Sequence, residues 1–154
     1  MQHYFDAVTG KPGIEDIMLT IQSDTECYYG RLRKAREFSQ RAVESARKNN
    51  ARETAALWRA YGALHEAEFG NVHEASQQAE AAISSAPGRD VRVLAAMVLA
   101  RAGNTTEATK LLESLNQEFP LDTVVQNQNN VLPTIRAMLA LSRGRGEQAL
   151  SCWQ

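Results

Sequence analysis

The segment Gly70-Asn-Val-His-Glu-Ala75 recurs further along the chain as Gly103-Asn-Thr-Thr-Glu-Ala108. The shift that places Gly70 on Gly103 also places Ala63 on Ala96, so a position upstream of the segment repeats together with it. Several landmarks that agree on one shift indicate an internal repeat. The sequence therefore predicts a fold built from repeated units, each one a piece of supersecondary structure.

The repeat extends in both directions with longer spacing. Further copies of the Gly-x4-Ala element begin at Gly30 and Gly144, and each lies further from its neighbour than Gly70 lies from Gly103. Pro87 and Pro120 are related by the same shift as the two central glycines, and each is placed to end a helix. One regular period between two stretched ones predicts an array with longer connections at both ends.

Each unit contains two stretches in which apolar or small residues follow helical spacing. In one unit they cover residues 53–69 and 72–86, and in the next 91–102 and 105–119. Gly70 and Gly103 separate the two stretches, as a helix-terminating glycine does. The chain also has 23 alanines, the best helix former, and no long stretch that alternates with a period of two. The pattern predicts an all-α fold of antiparallel helix pairs.

These residues resemble the tetratricopeptide repeat, a helix pair of about 34 residues with small residues at its crossing points, a glycine turn and a closing proline. The resemblance implies a right-handed superhelical solenoid that acts through protein–protein contacts. The large motif positions differ, because Arg59 and Arg92 stand at the tryptophan position and Glu66 and Leu99 at the tyrosine position. The positions that match are Ala63, Gly70, Ala75, Ala82 and Pro87 in one repeat, and Ala96, Gly103, Ala108, Leu115 and Pro120 in the next.

The units predicted on this basis cover residues 14–50, 53–88, 89–122 and 131–154, the last of them truncated, within a repeat region of residues 14–154. Residues 1–13, with Tyr4 and Phe5, are expected to be the tail of a preceding helix or a linker. Residues 12–16, 22–25, 34–37 and 53–57 are also similar to the repeat region of some bacterial eukaryotic-type serine/threonine kinases. We therefore expect a fragment of a larger bacterial signalling protein.

The composition excludes several classes of protein. A formal charge of −1 argues against a nucleic-acid binder, and two distant cysteines, Cys27 and Cys152, cannot form a disulfide framework. No apolar run approaches the length of a membrane span, and the first residues do not resemble a signal peptide. We expect a cytoplasmic protein with no nucleic-acid or membrane partner.

No motif predicts catalysis, a metal or a cofactor. His65 and His73 lie on either side of a glycine that separates two predicted helices, whereas a helical zinc pair lies one turn apart on the same helix. The Gly144-Arg-Gly146 sequence follows a predicted helix, whereas a dinucleotide loop must follow a strand. The segment is therefore not expected to be an enzyme.

Charge is distributed unevenly. Residues 31–52 sum to +6, while residues 1–30 and 53–88 sum to −4 each. One interpretation is a docking patch for an acidic partner or a phosphate. The other, which the nearby glutamates favour, is a solvated helix face paired at helical spacing. The candidate patch consists of Arg31, Arg33, Lys34 and Arg36.

In a solenoid of this family the first helix of each pair lines the concave surface. The chaperone-binding members carry Lys, Asn and Arg there, whereas the side chains here are apolar or acidic, so that subclass is excluded. An apolar groove suits a hydrophobic segment of a partner or of the same chain. Alternatively, these side chains only pack against neighbouring helices. The candidate residues are Leu57, Tyr61, Leu64, Val93, Leu94, Met97, Ile135 and Met138.

The sequence thus predicts a protein-interaction or scaffold module that uses a groove of the repeat array. The alternative is a structural self-association module, in which an open C-terminal edge around Leu150 and Trp153 stacks on another copy. No cofactor is expected in either case.

Overall fold

Helices make up most of residues 10, 11, 13–119 and 131–152, the part of the chain that the computed structural model describes. These residues contain no strand, which confirms the prediction of an all-α fold. None of the helices in these described residues has both the length and the apolar character needed to cross a membrane. In chain order they are α1 Glu15–Tyr28, α2 Leu32–Lys48, α3 Arg52–Glu68, α4 Val72–Ser85, α5 Arg89–Arg101, α6 Thr105–Glu118, α7 Leu132–Ser142 and α8 Gly146–Ser151.

The repeated glycines form repeated turns. Gly30, Gly70, Gly103 and Gly144 have φ of 73°, 80°, 84° and 71°, a region that side chains other than glycine rarely adopt. After α3 the Gly70 N–H donates to the Ala67 carbonyl (3.1 Å), and the Asn71 N–H donates to the Glu66 carbonyl (2.8 Å). The same pair of bonds closes α1, α5 and α7, so the glycine spacing read from the sequence corresponds to one turn that glycine forms four times. Helix α2 ends with the same pair of bonds, and there Asn50 takes the positive φ, at 58°.

The helices pack in a regular order. Each helix contacts the next one along the chain, and α3 also contacts α5, which contacts α7. Helix α1 touches α3 only slightly. The odd-numbered helices therefore form a contiguous row, and the even-numbered helices lie beside it.

The repeat landmarks identified in the sequence are buried at the helix contacts. Ala63 and Ala96, and likewise Ala75 and Ala108, have no exposed surface. Small side chains at these points allow the backbones of neighbouring helices to approach closely. The main apolar cluster joins α3 to α7 through these alanines together with larger residues such as Leu115.

Polar bonds hold α1 in place. The Trp58 indole Nε1 of α3 donates to Asp16 Oδ2 at 2.7 Å, and the Ser45 hydroxyl of α2 donates to Glu15 Oε2 at 2.9 Å. The apolar packing between α1 and its neighbours is limited to a small cluster around Leu19 and Ala42. The N-terminal end of the described chain is thus more polar in its packing than the centre.

Some predictions concern residues beyond those described. They are the helical tail containing Tyr4 and Phe5, the role of Pro120 as a repeat terminator, and the contribution of Trp153 to the C-terminal edge. These positions lie outside the described residues, and the predictions stay predictions.

Replacing a contact alanine should destabilise the fold. Ala79 of α4 is fully buried, so Ala79→Leu inserts extra carbon atoms into a filled contact and should cost about 1–3 kcal/mol in the free energy of unfolding. Urea denaturation measures the change. The control is Ala81→Leu, a half-buried position on the same helix, which should change stability much less. Equal effects of the two variants would contradict this description of the contact.

Candidate functional site

A cleft of about 630 Å³ opens between α2 and α4, with α3 as its floor. A second cleft of about 290 Å³ continues it along α3. The two clefts share Ser39, Gln40 and Gln78, so they form one continuous depression. We call it the α2–α4 groove. It runs from the turn at Gly70 to Arg59 at its far end.

The floor of the groove is one face of α3. Arg59, Gly62 and Glu66 follow one another at intervals of three and four positions, the spacing of neighbours on a helix surface. Gly62 has no side chain, and a Cβ built there would lie 2.6 Å from the Ser39 hydroxyl oxygen. A glycine inside a helix costs about 0.5–1 kcal/mol relative to alanine. Because Gly62 has no side chain, α2 can approach α3 closely, and no side chain projects from the floor at this point.

A buried carboxylate fixes the geometry at one end of the groove. Glu66 is 1% exposed. Arg36 of α2 donates to both of its oxygens, from Nε at 2.6 Å and from Nη2 at 2.7 Å. The Asn71 side chain, in the turn before α4, donates to Oε2 at 2.8 Å. Mainly through the bonds from Arg36, the pKa of Glu66 is lowered, and the pKa of Arg36 is raised in return. The hydrogen bonds to Glu66 thus join α2, α3 and the turn before α4.

The groove walls carry polar side chains with hydrogen-bonding capacity. Gln78 Nε2 donates to Glu74 Oε1 at 2.6 Å, which leaves the Gln78 carbonyl oxygen near the floor. Within the described part of the chain, the side chains of Ser39, Gln40 and His73 have no hydrogen-bond partner. Amide, hydroxyl and imidazole groups of this kind can hydrogen-bond the backbone of a bound peptide.

His65 connects serine and aspartate in an arrangement that superficially resembles a hydrolase triad. Its Nδ1 lies 3.4 Å from the Ser23 hydroxyl oxygen, and its Nε2 lies 2.8 Å from Asp24 Oδ1. Ser23, however, is only 1% exposed and donates its hydroxyl to the Ala35 carbonyl at 2.9 Å. A nucleophile needs access to substrate and a proton that its base can take. These contacts therefore join α1, α2 and α3 and give no support to catalysis.

Most of the predicted concave-face residues hold helices together. Leu94 and Ile135 are buried in the core, so they have almost no surface to offer a partner. Tyr61 is the most exposed, and its ring lies 5.8 Å from that of Trp58. The remaining five are half-buried and pack against the apolar clusters: Leu57, Leu64, Val93, Met97 and Met138. None of the eight lines the α2–α4 groove.

The predicted basic patch consists of side chains in different environments. Arg31 pairs with Glu26 at 3.3 Å, and Arg36 is committed to Glu66. Arg33 and Lys34 are exposed and form no ion pair with any residue that the structure describes. The patch therefore divides into two paired arginines and two solvated cations.

The groove was not predicted from the sequence, although two of the three residues that form its floor were noted. Arg59 and Glu66 were recognised as departures from the repeat motif, and Gly62 was not recognised at all. The available signal was the helical spacing that puts two charged side chains and a glycine on one helix face.

Comparison with known proteins gives no further guide to the site. No protein-family model, curated protein or solved structure matches the chain.

Replacing Glu66 should change both stability and its pH dependence. Glu66→Gln places an amide donor against the donors of Arg36 and Asn71, which should cost about 1–3 kcal/mol at neutral pH. Because folding lowers the pKa of Glu66, the stabilisation is present above the unfolded pKa and is lost as pH falls through the folded pKa. The difference in urea midpoint between wild type and variant should therefore shrink on acidification.

The control is Glu80→Gln, since Glu80 is exposed on α4 and has no ion pair within the described chain. This variant should unfold like the wild type at every pH. A stability difference for Glu66→Gln that does not depend on pH would contradict the assigned role of the ion pair.

Proposed function

We propose that the chain is a protein-interaction module of tetratricopeptide type that binds an extended segment of a partner protein in the α2–α4 groove. The observation that carries this proposal is the continuity of the groove along α3, between walls with unsatisfied polar side chains. The similarity to bacterial kinase repeat regions favours a partner in a signalling pathway, and the bound segment can also belong to another part of the same protein.

Two features support the repeat architecture. The glycine turn is used four times, and the landmark pairs Ala63/Ala96 and Ala75/Ala108 are buried alike. Consecutive helices pack as pairs, α3 also contacts α5, and α5 contacts α7, which is the arrangement expected of stacked helix hairpins.

The repeat motif also offers a reason for the groove. Its pattern W-x2-L-G-x2-Y aligns the tryptophan with Arg59, the leucine with Gly62 and the tyrosine with Glu66. These three residues form the floor of the groove. In the next repeat Arg92 is covered instead, because it pairs with Glu118 at 2.7 Å and lies over the Phe119 ring. Loss of large motif side chains in one repeat thus leaves space between α2 and α4.

An extended peptide suits the shape and chemistry of this space. The groove is long and open, and its polar groups come from both walls and from the turn at Asn71. A peptide backbone presents N–H and C=O groups along its length, so a row of amide and hydroxyl groups can satisfy them in turn. Gln40 and Gln78 belong to both clefts and are the groups best placed to do so.

Self-association is a second candidate, favoured by exposed apolar residues near the C-terminal end of the described chain. Leu141 is 58% exposed and Leu150 is 73% exposed. The two residues belong to the adjacent helices α7 and α8, and exposed apolar surface is typical of association surfaces. The two candidates differ in the surface that they use, so they are separable by mutation.

Blocking the groove should abolish peptide binding without unfolding the chain. Peptides selected from a random dodecamer library on the immobilised protein supply the ligand. Gln78→Trp places an indole in the groove and should weaken binding at least about tenfold, which is about 1.4 kcal/mol. Fluorescence polarisation measures the affinity, and urea denaturation confirms the fold.

The matched control is Gln77→Trp, which puts the same side chain at an exposed position outside the groove. It should bind as the wild type does. The proposal fails if no peptide is selected, or if both tryptophan variants bind equally well. Charged substitutions at Leu64 or Met97 are a poorer test, because both residues pack against the core and such changes would act on folding.

For self-association, Leu141→Asp combined with Leu150→Asp should shift sedimentation equilibrium towards monomer at high protein concentration, because charge then replaces apolar contact area. Ser151→Asp, an exposed position on α8, adds charge without removing an apolar group and should leave association unchanged. A wild-type chain that is monomeric at every concentration would exclude this candidate.

A further inference from the structure

Two arginines line the far end of the α2–α4 groove. Arg47 lies in the last turn of α2 and Arg59 in α3, and both line the cleft of about 290 Å³. Within the described part of the chain, neither side chain forms a hydrogen bond or an ion pair. Glu44 lines the same cleft but lies beyond ion-pair distance of both. The three charges leave this end of the groove with a net positive charge of one.

The position of Arg59 is electrostatically unfavourable as it stands. Its side chain is half-buried, and burial together with the nearby charge of Arg47 lowers the pKa of Arg59. By contrast, the half-buried Arg92 has a carboxylate partner in Glu118. A half-buried guanidinium beside a second one gains most from an anion between them, because each charge-assisted hydrogen bond replaces lost hydration.

We infer that Arg47 and Arg59 bind the carboxylate of an aspartate or glutamate side chain in the partner segment. This inference rests on the proposed function, since it assigns a chemical class to the segment that occupies the groove. The guanidinium fork matches the two oxygens of a carboxylate, and the single net positive charge matches a monoanion. A phosphorylated side chain carries about two negative charges, which is more than the net positive charge at this end of the groove.

The amide groups next to the arginines fit the same role. Gln40 and Gln78 line the cleft beside Arg59, and their amide groups can donate and accept hydrogen bonds without adding charge. They can hold the backbone of the segment while the acidic side chain reaches the arginines. The residue of the bound segment that lies beside Arg47 and Arg59 is then the one that must be acidic.

The experiment compares peptides selected from the random library on three proteins. They are the wild type, Arg47→Gln combined with Arg59→Gln, and the control Arg33→Gln combined with Lys34→Gln. The control makes the same change in net charge at exposed positions outside the groove. Wild type and control should enrich aspartate or glutamate at one fixed position, and the groove variant should lose that enrichment. A Glu→Gln or Asp→Asn change in the best peptide should weaken wild-type binding at least about tenfold, or about 1.4 kcal/mol.

Three other outcomes of the peptide selection would contradict part or all of this inference. Selected peptides that bind the groove without an acidic preference would overturn this inference and leave the proposed function standing. A phosphoserine peptide that binds more tightly than its glutamate counterpart would overturn the assignment to a carboxylate. Failure to select any peptide would contradict both. As a readout that needs no variant, the Arg59 Nε–H signal in NMR spectra should shift on addition of the acidic peptide and not on addition of its amide counterpart.

Discussion

The carboxylate of Glu66 is the point on which the geometry of the site depends. It is buried, so its charge requires hydrogen bonds from within the protein. Arg36 reaches it from α2 and Asn71 from the turn before α4, and those two residues set both walls relative to α3. The ion pair therefore lies at the end of the groove where α2, α3 and the turn before α4 come together.

The fold around this point separates two kinds of helix contact. Alanines such as Ala63 and Ala96 bring helices together within the main apolar cluster. On the side of the groove, α3 presents a glycine between two charged residues, Arg59 and Glu66. One helix therefore contributes both to the core and to the floor of the groove. The proposed function uses this division, because the groove residues Gln40 and Gln78 lie outside the apolar clusters that hold the helices together.

The sequence was sufficient for the helices, their turns and the repeat landmarks, because these depend on local signals. A glycine in the position of Gly70 ends a helix in each copy of the element. Buried alanines such as Ala63 and Ala96 recur at the spacing of the repeated segment. The groove was not predictable in the same way. It depends on the Arg36–Glu66 pair, whose members lie on different helices far apart in the chain, and on space left by the absent side chain of Gly62. Helical spacing alone does not distinguish a core face from an exposed one, so the predicted concave-face residues include Ile135, which is buried.

The most direct measurement is NMR chemical-shift mapping of the amide groups on titration with a library-selected peptide. The account predicts that the largest shifts occur at Gly62, Gln40 and Gln78, along the floor and walls of the groove. It would be contradicted by shifts centred on Tyr61 and Val93 with the groove amides unchanged, because the binding surface would then be the face of the odd-numbered helices.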